Sequence, residues 1–282
     1  MTGASPTERW LDVDGLRLKA LDWGTEGKPP VLLLHGMAMY SWTWEQNAQA
    51  WNDAFHVVAV DQRGHGDSDR PARGTYLSEI LARDAIKMAD ALGWDRFSIV
   101  GQSMGGHNGM QAAIDYPDRI EKLVISDMEP LFQLELMAYM RNATELPVYD
   151  SYEQYAEEAA KRNPRPSMEL QLHRARRALK QLPDGRLTPK YDLWAPKDWA
   201  PVDLWPRLHE ITCPTLLVRG AESPVLRQDH ADRMVQAIPD CQLVVVPGAG
   251  HGIGTDNPVM YERCIRQFLL GEPVTDAVGA VK

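Results

Sequence analysis

Three side-chain types in this 282-residue chain have the makings of an acyl-transfer site: one serine, one late histidine and a choice of two carboxylates. Ser103 stands in Gly101-Gln102-Ser103-Met104-Gly105, between the apolar run Phe97-Ser98-Ile99-Val100 and a helix-patterned run from Met104 to Tyr116. A serine at a sharp strand-to-helix turn must take a strained backbone conformation that lifts its hydroxyl above the sheet edge. The positions two before and two after therefore need small residues. Gly101 and Gly105 meet that need, and Gly106 adds room. The pattern is the G-x-S-x-G nucleophile elbow. The helix behind it would point free backbone N–H groups and a positive dipole end at the reacting centre, which suits a developing oxyanion. The plain alternative is a glycine-rich turn holding an ordinary serine, because five-residue patterns recur by chance. The surrounding elements decide between the two.

Those elements alternate. Trp10 to Trp23 reads as a hairpin around Asp14-Gly15, forming an antiparallel sheet edge. Val31-Leu32-Leu33-Leu34 and Phe55-His56-Val57-Val58-Ala59-Val60 are continuous apolar runs of the kind found in strands buried on both faces. Ser78 to Leu92 has helical spacing closed by Gly93, and Leu123-Val124-Ile125 is a further short buried strand. From about Leu131 to Pro206 such runs vanish, replaced by helix-like segments (Leu131 to Thr144, Ser151 to Arg162, Ser167 to Leu182). Strand signals resume with Thr215-Leu216-Leu217-Val218 and Leu243-Val244-Val245-Val246, with helices from Arg227 to Ile238 and Pro258 to Leu269. Strands alternating with helices predict an α/β fold, a mostly parallel doubly wound sheet. The expected division is a core of 1–130 and 207–282 with a helical cap inserted at 131–206. The last dozen residues read as a frayed tail.

The length allows a substantial core, and 44% hydrophobic with 24% charged residues is ordinary for a soluble globular protein. The first residues lack a basic segment followed by an apolar stretch, and no apolar run reaches the length of a membrane span, so a cytoplasmic location is expected. A net charge of −9 argues against nucleic acid and anionic membranes as partners and leaves a small-molecule substrate, with the chain a monomer or homodimer. Cys213, Cys241 and Cys264 are odd in number and widely spaced, which fits reduced packing residues rather than a disulfide framework or a metal site. A dinucleotide binder would need G-x-G-x-x-G after its first buried strand, where this chain has His35-Gly36-Met37. No cofactor or metal is expected.

Four motifs in order now carry a resemblance: His35-Gly36-Met37-Ala38, Asp61-Gln62-Arg63-Gly64-His65-Gly66-Asp67-Ser68, the Ser103 elbow, and Gly248-Ala249-Gly250-His251. From about Trp10 to Leu270 the chain resembles the α/β-hydrolases. The resemblance implies that His251 is the base, since it comes last in chain order, taking the Ser103 proton and returning it to the leaving group. It implies an oxyanion hole from the backbone N–H groups of Met104 and Met37, and structural roles for His35 and His65. The acid departs from the commonest pattern. The loop after Thr215-Val218, where many members of the family carry it, reads Arg219-Gly220-Ala221-Glu222-Ser223-Pro224 and has no aspartate. The other location used in the family, the end of the strand after the elbow helix, holds Asp127. Asp127 is the preferred acid, because a short side chain at a strand end is held more rigidly than a loop glutamate, and Glu222 is the alternative.

A serine at the elbow excludes carbon–halogen and epoxide cleavage, which need a carboxylate there to form the ester intermediate. The expectation is a metal-free serine hydrolase of a small carboxylic ester or lactone. Hydrolysis of an activated amide or of a C–C bond is the nearest alternative. The strand-end acid is similar to that of enamide hydrolases and deformylases acting on dicarboxylated substrates, which would want arginines from the cap; Arg141, Arg162, Arg165, Arg174, Arg176 and Arg177 are placed for that. A helix carrying Arg174, Arg176 and Arg177 is also what a solvated face looks like. Met137, Met140, Tyr149, Tyr152, Tyr155, Trp194 and Trp199 would equally suit an apolar acyl group. A reading from another class is a ligand receptor on the same scaffold, told apart by slow single acylation instead of multiple turnover of p-nitrophenyl esters.

Overall fold

Asp14 and Gly15 both take positive φ (55° and 78°), the conformation of a tight hairpin turn, and so pair β1 (Thr7–Val13) with β2 (Leu16–Asp22) from Val13↔Leu16 outward. This hairpin is one edge of a sheet seen in a computed structural model that describes residues 5–278. The sheet continues through β3 (Pro30–Leu34), β4 (His56–Val60), β5 (Phe97–Gln102) and β6 (Ile120–Ser126). Two short strands, β7 (Leu179–Gln181) and β8 (Leu187–Pro189), stand apart from it, and β9 (Thr215–Gly220), β10 (Cys241–Val246) and β11 (Ala277–Val278) complete it. Nine strands lie in the order β1-β2-β4-β3-β5-β6-β9-β10-β11, parallel from β4 to β10. β5, which ends in the elbow, is central.

The interior strands are apolar throughout because both faces are covered. Alternate residues feed two different cores: Leu32, Leu34 and Ile99 join the cluster on one face, whereas Val31, Leu33 and Val100 join the other. Helices Ser78–Ala91 and Met104–Asp115 cover the first face, and Glu45–Trp51 and Pro258–Leu270 the second. Each fully buried leucine contributes roughly 1.5–3 kcal/mol. The three cysteines are buried as free thiols. Among the described residues no helix is long and apolar enough to cross a membrane.

Between β6 and β9 the chain leaves the sheet. It forms the short helical turns Leu134–Met137 and Ala138–Arg141, the helices Tyr152–Arg162 and Met168–Ala178, and a short helix Trp194–Asp198. Ser151 and Ser167 cap the two longer helices by accepting from Gln154 N–H and Leu170 N–H. The outgoing and returning crossings touch, with Leu204 N–H donating to Pro130 O at 3.1 Å. Two expectations fail here. The helix predicted over Ser167 to Leu182 stops at Ala178, and β7 pairs antiparallel with β8 around Asp184-Gly185, a turn made possible by φ 89° at Gly185. The predicted frayed tail instead adds β11 to the outer edge of β10, pairing Val244↔Ala277. Residues 279–282, and 1–4 at the other end, lie outside the described residues.

Candidate active site

Ser103 has φ 52° and ψ −121° between the last residue of β5 and the first of the helix Met104–Asp115. That left-handed conformation costs a serine backbone strain, and the surrounding packing over-determines it. A Cβ at Gly101 would lie 2.2 Å from Gly105 O, and one at Gly105 would lie 2.1 Å from Leu34 O, so neither position tolerates a side chain. Ser103 N–H donates to Ser126 O of β6 at 3.0 Å, and Ser103 O accepts from His107 N–H at 3.0 Å. Ser103 is partly exposed, and its hydroxyl is not hydrogen-bonded to the His251 ring in this structure.

His251 and Asp127 meet. His251 Nδ1 donates to Asp127 Oδ2 at 2.7 Å, with the imidazole about one-third exposed and the carboxylate wholly buried. Asp127 follows β6 and turns sharply at φ 52°, its N–H donating to Val218 O at 2.8 Å. Gly220 N–H donates to its Oδ1 at 3.2 Å, and the Ser223 hydroxyl donates to its Oδ2. A buried carboxylate thus has donors on both oxygens, which satisfies it away from water and fixes its direction. Glu222 is elsewhere. It is exposed and ion-paired with Arg165, while its backbone N–H donates to Ala249 O. Among the described residues the loop after β9 brings no carboxylate to the His251 ring. It supplies the Ser223 hydroxyl, which together with Gly220 N–H at the end of β9 holds the Asp127 carboxylate, and no motif in the sequence distinguishes Ser223 from any other loop serine.

The two amides expected to face an oxyanion are free of acceptors among the described residues. Met104 is the first residue of its helix, where no intrahelical carbonyl is available, and Met37 N–H donates to no main-chain or side-chain group among the described residues. The loop after β3 lies against Ser103, since a Cβ at Gly36 would sit 3.2 Å from Ser103 Cβ. His35 sets the tilt of the Gly36–Met37 peptide. Gln62 N–H donates to His35 Nε2 at 3.0 Å, which leaves the proton on Nδ1, and Nδ1 donates to Gly36 O at 2.8 Å. In a trans peptide the C=O and the following N–H point opposite ways, so pinning Gly36 O aims Met37 N–H. Gln62 Nε2 also donates to His35 O, and Asn108 Nδ2 to Gln62 Oε1. Burial, with His65 alongside, pushes the His35 imidazole down to about 3, and burial takes His65 down to about 4. Both rings stay neutral. Their centroids lie 5.1 Å apart, and His65 Nδ1 faces Arg63 O at 3.0 Å.

The inserted segment divides its arginines. Arg141 donates to Pro196 O and Trp199 O, a buttress inside the segment. Arg162 is exposed beside Glu158, Arg176 is exposed, and Arg177 lies over the Trp42 ring at 3.8 Å. Arg174 is the exception. It is half-buried, donates from Nη1 to Thr255 Oγ1 at 2.8 Å, and has no carboxylate at ion-pair distance among the described residues. Burial lowers its pKa. Of the apolar candidates, Trp199 is fully buried against Phe132, Tyr149 packs edge-on to Tyr155 at 5.1 Å, and Trp194 lies under Arg73. Among the described residues no three of His, Cys, Asp and Glu are grouped to hold a metal ion.

With this geometry in view, likeness to known proteins carries weight. The sequence pattern of the alpha/beta hydrolase fold family matches residues 29–258. The 2-(acetamidomethylene)succinate hydrolase of Mesorhizobium japonicum is 29% identical over 93% of this chain and 94% of its own length. Haloalkane dehalogenase 2 of Mycobacterium bovis is 30% identical over 89% of this chain and 90% of its own. The crystal structure of E-2-(acetamidomethylene)succinate hydrolase superposes with a TM-score of 0.85 at 28% identity, covering 94% of this chain and 99% of that one. Motif order, sheet topology and family match agree, and the chain is a hydrolase belonging to the α/β-hydrolase fold family.

Proposed function

We propose that the chain is a serine hydrolase that cleaves a small-molecule carboxylic ester or lactone through an acyl-enzyme. The observation that carries this is the 2.7 Å bond to the buried Asp127 from Nδ1 of His251, a residue on the loop that follows the last parallel strand, with Ser103 strained at the end of the central one. His251 Nε2 takes the Ser103 proton as Oγ attacks the carbonyl carbon. Asp127 holds the ring in the tautomer that leaves Nε2 free and stabilises the imidazolium. The oxyanion settles on Met37 and Met104 N–H, and the same imidazole protonates the leaving group. Water then repeats the sequence on the acyl-enzyme. The insertion at 131–206 is the cap over this site.

A second reading, an activated amide bearing a carboxylate, is favoured by Arg174. A half-buried guanidinium whose one side-chain partner among the described residues is a neutral hydroxyl is suited to an anionic group, and a relative 29% identical is named for the hydrolysis of a succinate enamide. Haloalkane cleavage is not part of the reading, because Ser103 stands where a carboxylate nucleophile would be needed. The test is multiple-turnover hydrolysis of matched esters and N-acyl enamines, each with and without a free carboxylate. Ester turnover abolished by Ser103→Ala supports the first reading. A preference for carboxylated enamides that Arg174→Ala removes supports the second. One slow acylation without turnover overturns both in favour of a receptor.

A further inference from the structure

The segment Asn163-Pro164-Arg165-Pro166, which joins the two long helices of the insertion, reaches out of the insertion and onto the loops behind the proposed site. Asp256, five residues after His251, has a buried side chain that accepts Gly250 N–H at 2.8 Å on Oδ2 and Asn163 Nδ2 at 2.6 Å on Oδ1. Arg165 Nη1 stands 3.7 Å from the same Oδ2, and its Nη2 pairs with Glu222. Glu222 immediately precedes Ser223, the residue whose hydroxyl holds Asp127. One short cap segment therefore clips together the loop bearing His251 and the loop that holds its acid.

We propose that Asn163 and Arg165 are positioning residues that align His251 with Asp127 from outside the core, so that seating of the cap and competence of the imidazole are coupled. The inference rests on the serine-hydrolase reading. Two features make the segment suitable. Prolines on both sides of Arg165 fix φ and reduce the freedom of the chain before the contacts form, and Asn163 is extended (φ −139°, ψ 102°), as a residue before proline prefers. Asn163 Oδ1 also accepts Arg165 N–H at 3.2 Å, so the amide that holds Asp256 locks the segment's own turn. Misplacing a catalytic group by about 1 Å can cost roughly 10²-fold in rate, a larger effect than the exposed Arg165–Glu222 pair has on stability.

The experiment uses p-nitrophenyl acetate with the full chain, reading the burst rate constant for acylation, kcat and KM. Asn163→Ala with Arg165→Ala is expected to lower the burst rate and kcat about 10–100-fold while KM stays within about twofold. Arg165→Lys restores part of the loss by keeping a charge beside Asp256. Pro164→Gly, which leaves every hydrogen-bonding side chain in place, costs several-fold by loosening the segment. A wild-type burst rate in the double variant overturns the proposal, whatever its melting temperature. So does a rise in KM at unchanged kcat, which would make Arg165 a substrate contact. Full hydrolysis by Ser103→Ala is a different failure, that of the serine-hydrolase reading itself, and removes the ground on which this inference stands.

Discussion

Four histidines fall into two environments. His35, His65 and His107 are wholly buried and bonded to main-chain carbonyls, those of Gly36, Arg63 and Val202. Burial pushes them to about 3, about 4 and about 4, well below the ordinary imidazole value. They are neutral braces. His251 has a third of its ring exposed and a carboxylate behind it instead of a carbonyl. An imidazole between a fixed anion and open space can accept a proton on its free nitrogen without stranding a charge in the interior. The chemistry of the residue type is constant; among these four, the proposed base differs from the braces by a carboxylate on one ring nitrogen and access to the other.

The strongest attempt to break this division is to remove the proposed base and nucleophile. Ser103→Ala and His251→Ala are each expected to lower kcat by about 10⁴-fold or more with melting temperatures near that of the parent, measured by ester hydrolysis and calorimetry. An active His251→Ala would move His251 into the brace group. Asp127→Asn comes next, at roughly 10³–10⁴-fold in kcat, whereas Glu222→Gln stays within about threefold. Equal effects would mean that the partner on Nδ1 does not matter. His35→Ala is expected to lower kcat by about 10²-fold, through the loosened Met37 amide, and to cost roughly 1–3 kcal/mol of stability from the donors and acceptors left unpaired. The smallest effect is on pH. The braces have folded pKa values depressed to about 3–4, so their contribution is intact above the ordinary value near 6.5. As pH falls from there toward 4, the unfolded chain takes up protons that the native one does not, and stability drops by at most about 1.4 kcal/mol per pH unit for each ring. His65→Gln should flatten that slope in denaturant titrations between pH 4 and 6.5.

The continuous apolar runs made the sheet legible because strands buried on both faces have no room for polar residues, and Leu32, Val58, Ile99 and Val124 all prove fully buried. The strand-end turn at Ser103 and the loop placement of His251 were legible because their motifs follow buried strands in order. The acid was a choice between two. Distance across the sheet is what sets Asp127, not Glu222, against the His251 ring, and sequence carries no distances: Asp127 and His251 are 124 positions apart. The β7–β8 hairpin was in principle readable, since Pro183-Asp184-Gly185 is turn chemistry, but the helical spacing of the preceding arginines masked it. Ser223 and the Asn163–Arg165 contacts had no local signature at all. Their meaning depends on what lies opposite them in space.

The bond from Leu204 N–H to Pro130 O brings the start and finish of the insertion to a single point on the core. A module whose two junctions coincide can be lengthened, shortened or exchanged for another without stretching the sheet beneath it, since closing a longer loop adds only about 0.6 kcal/mol per doubling. If the insertion is the cap proposed above, grafting a foreign segment between those two junctions is expected to alter selectivity, provided the replacement brings its own grip on the histidine loop.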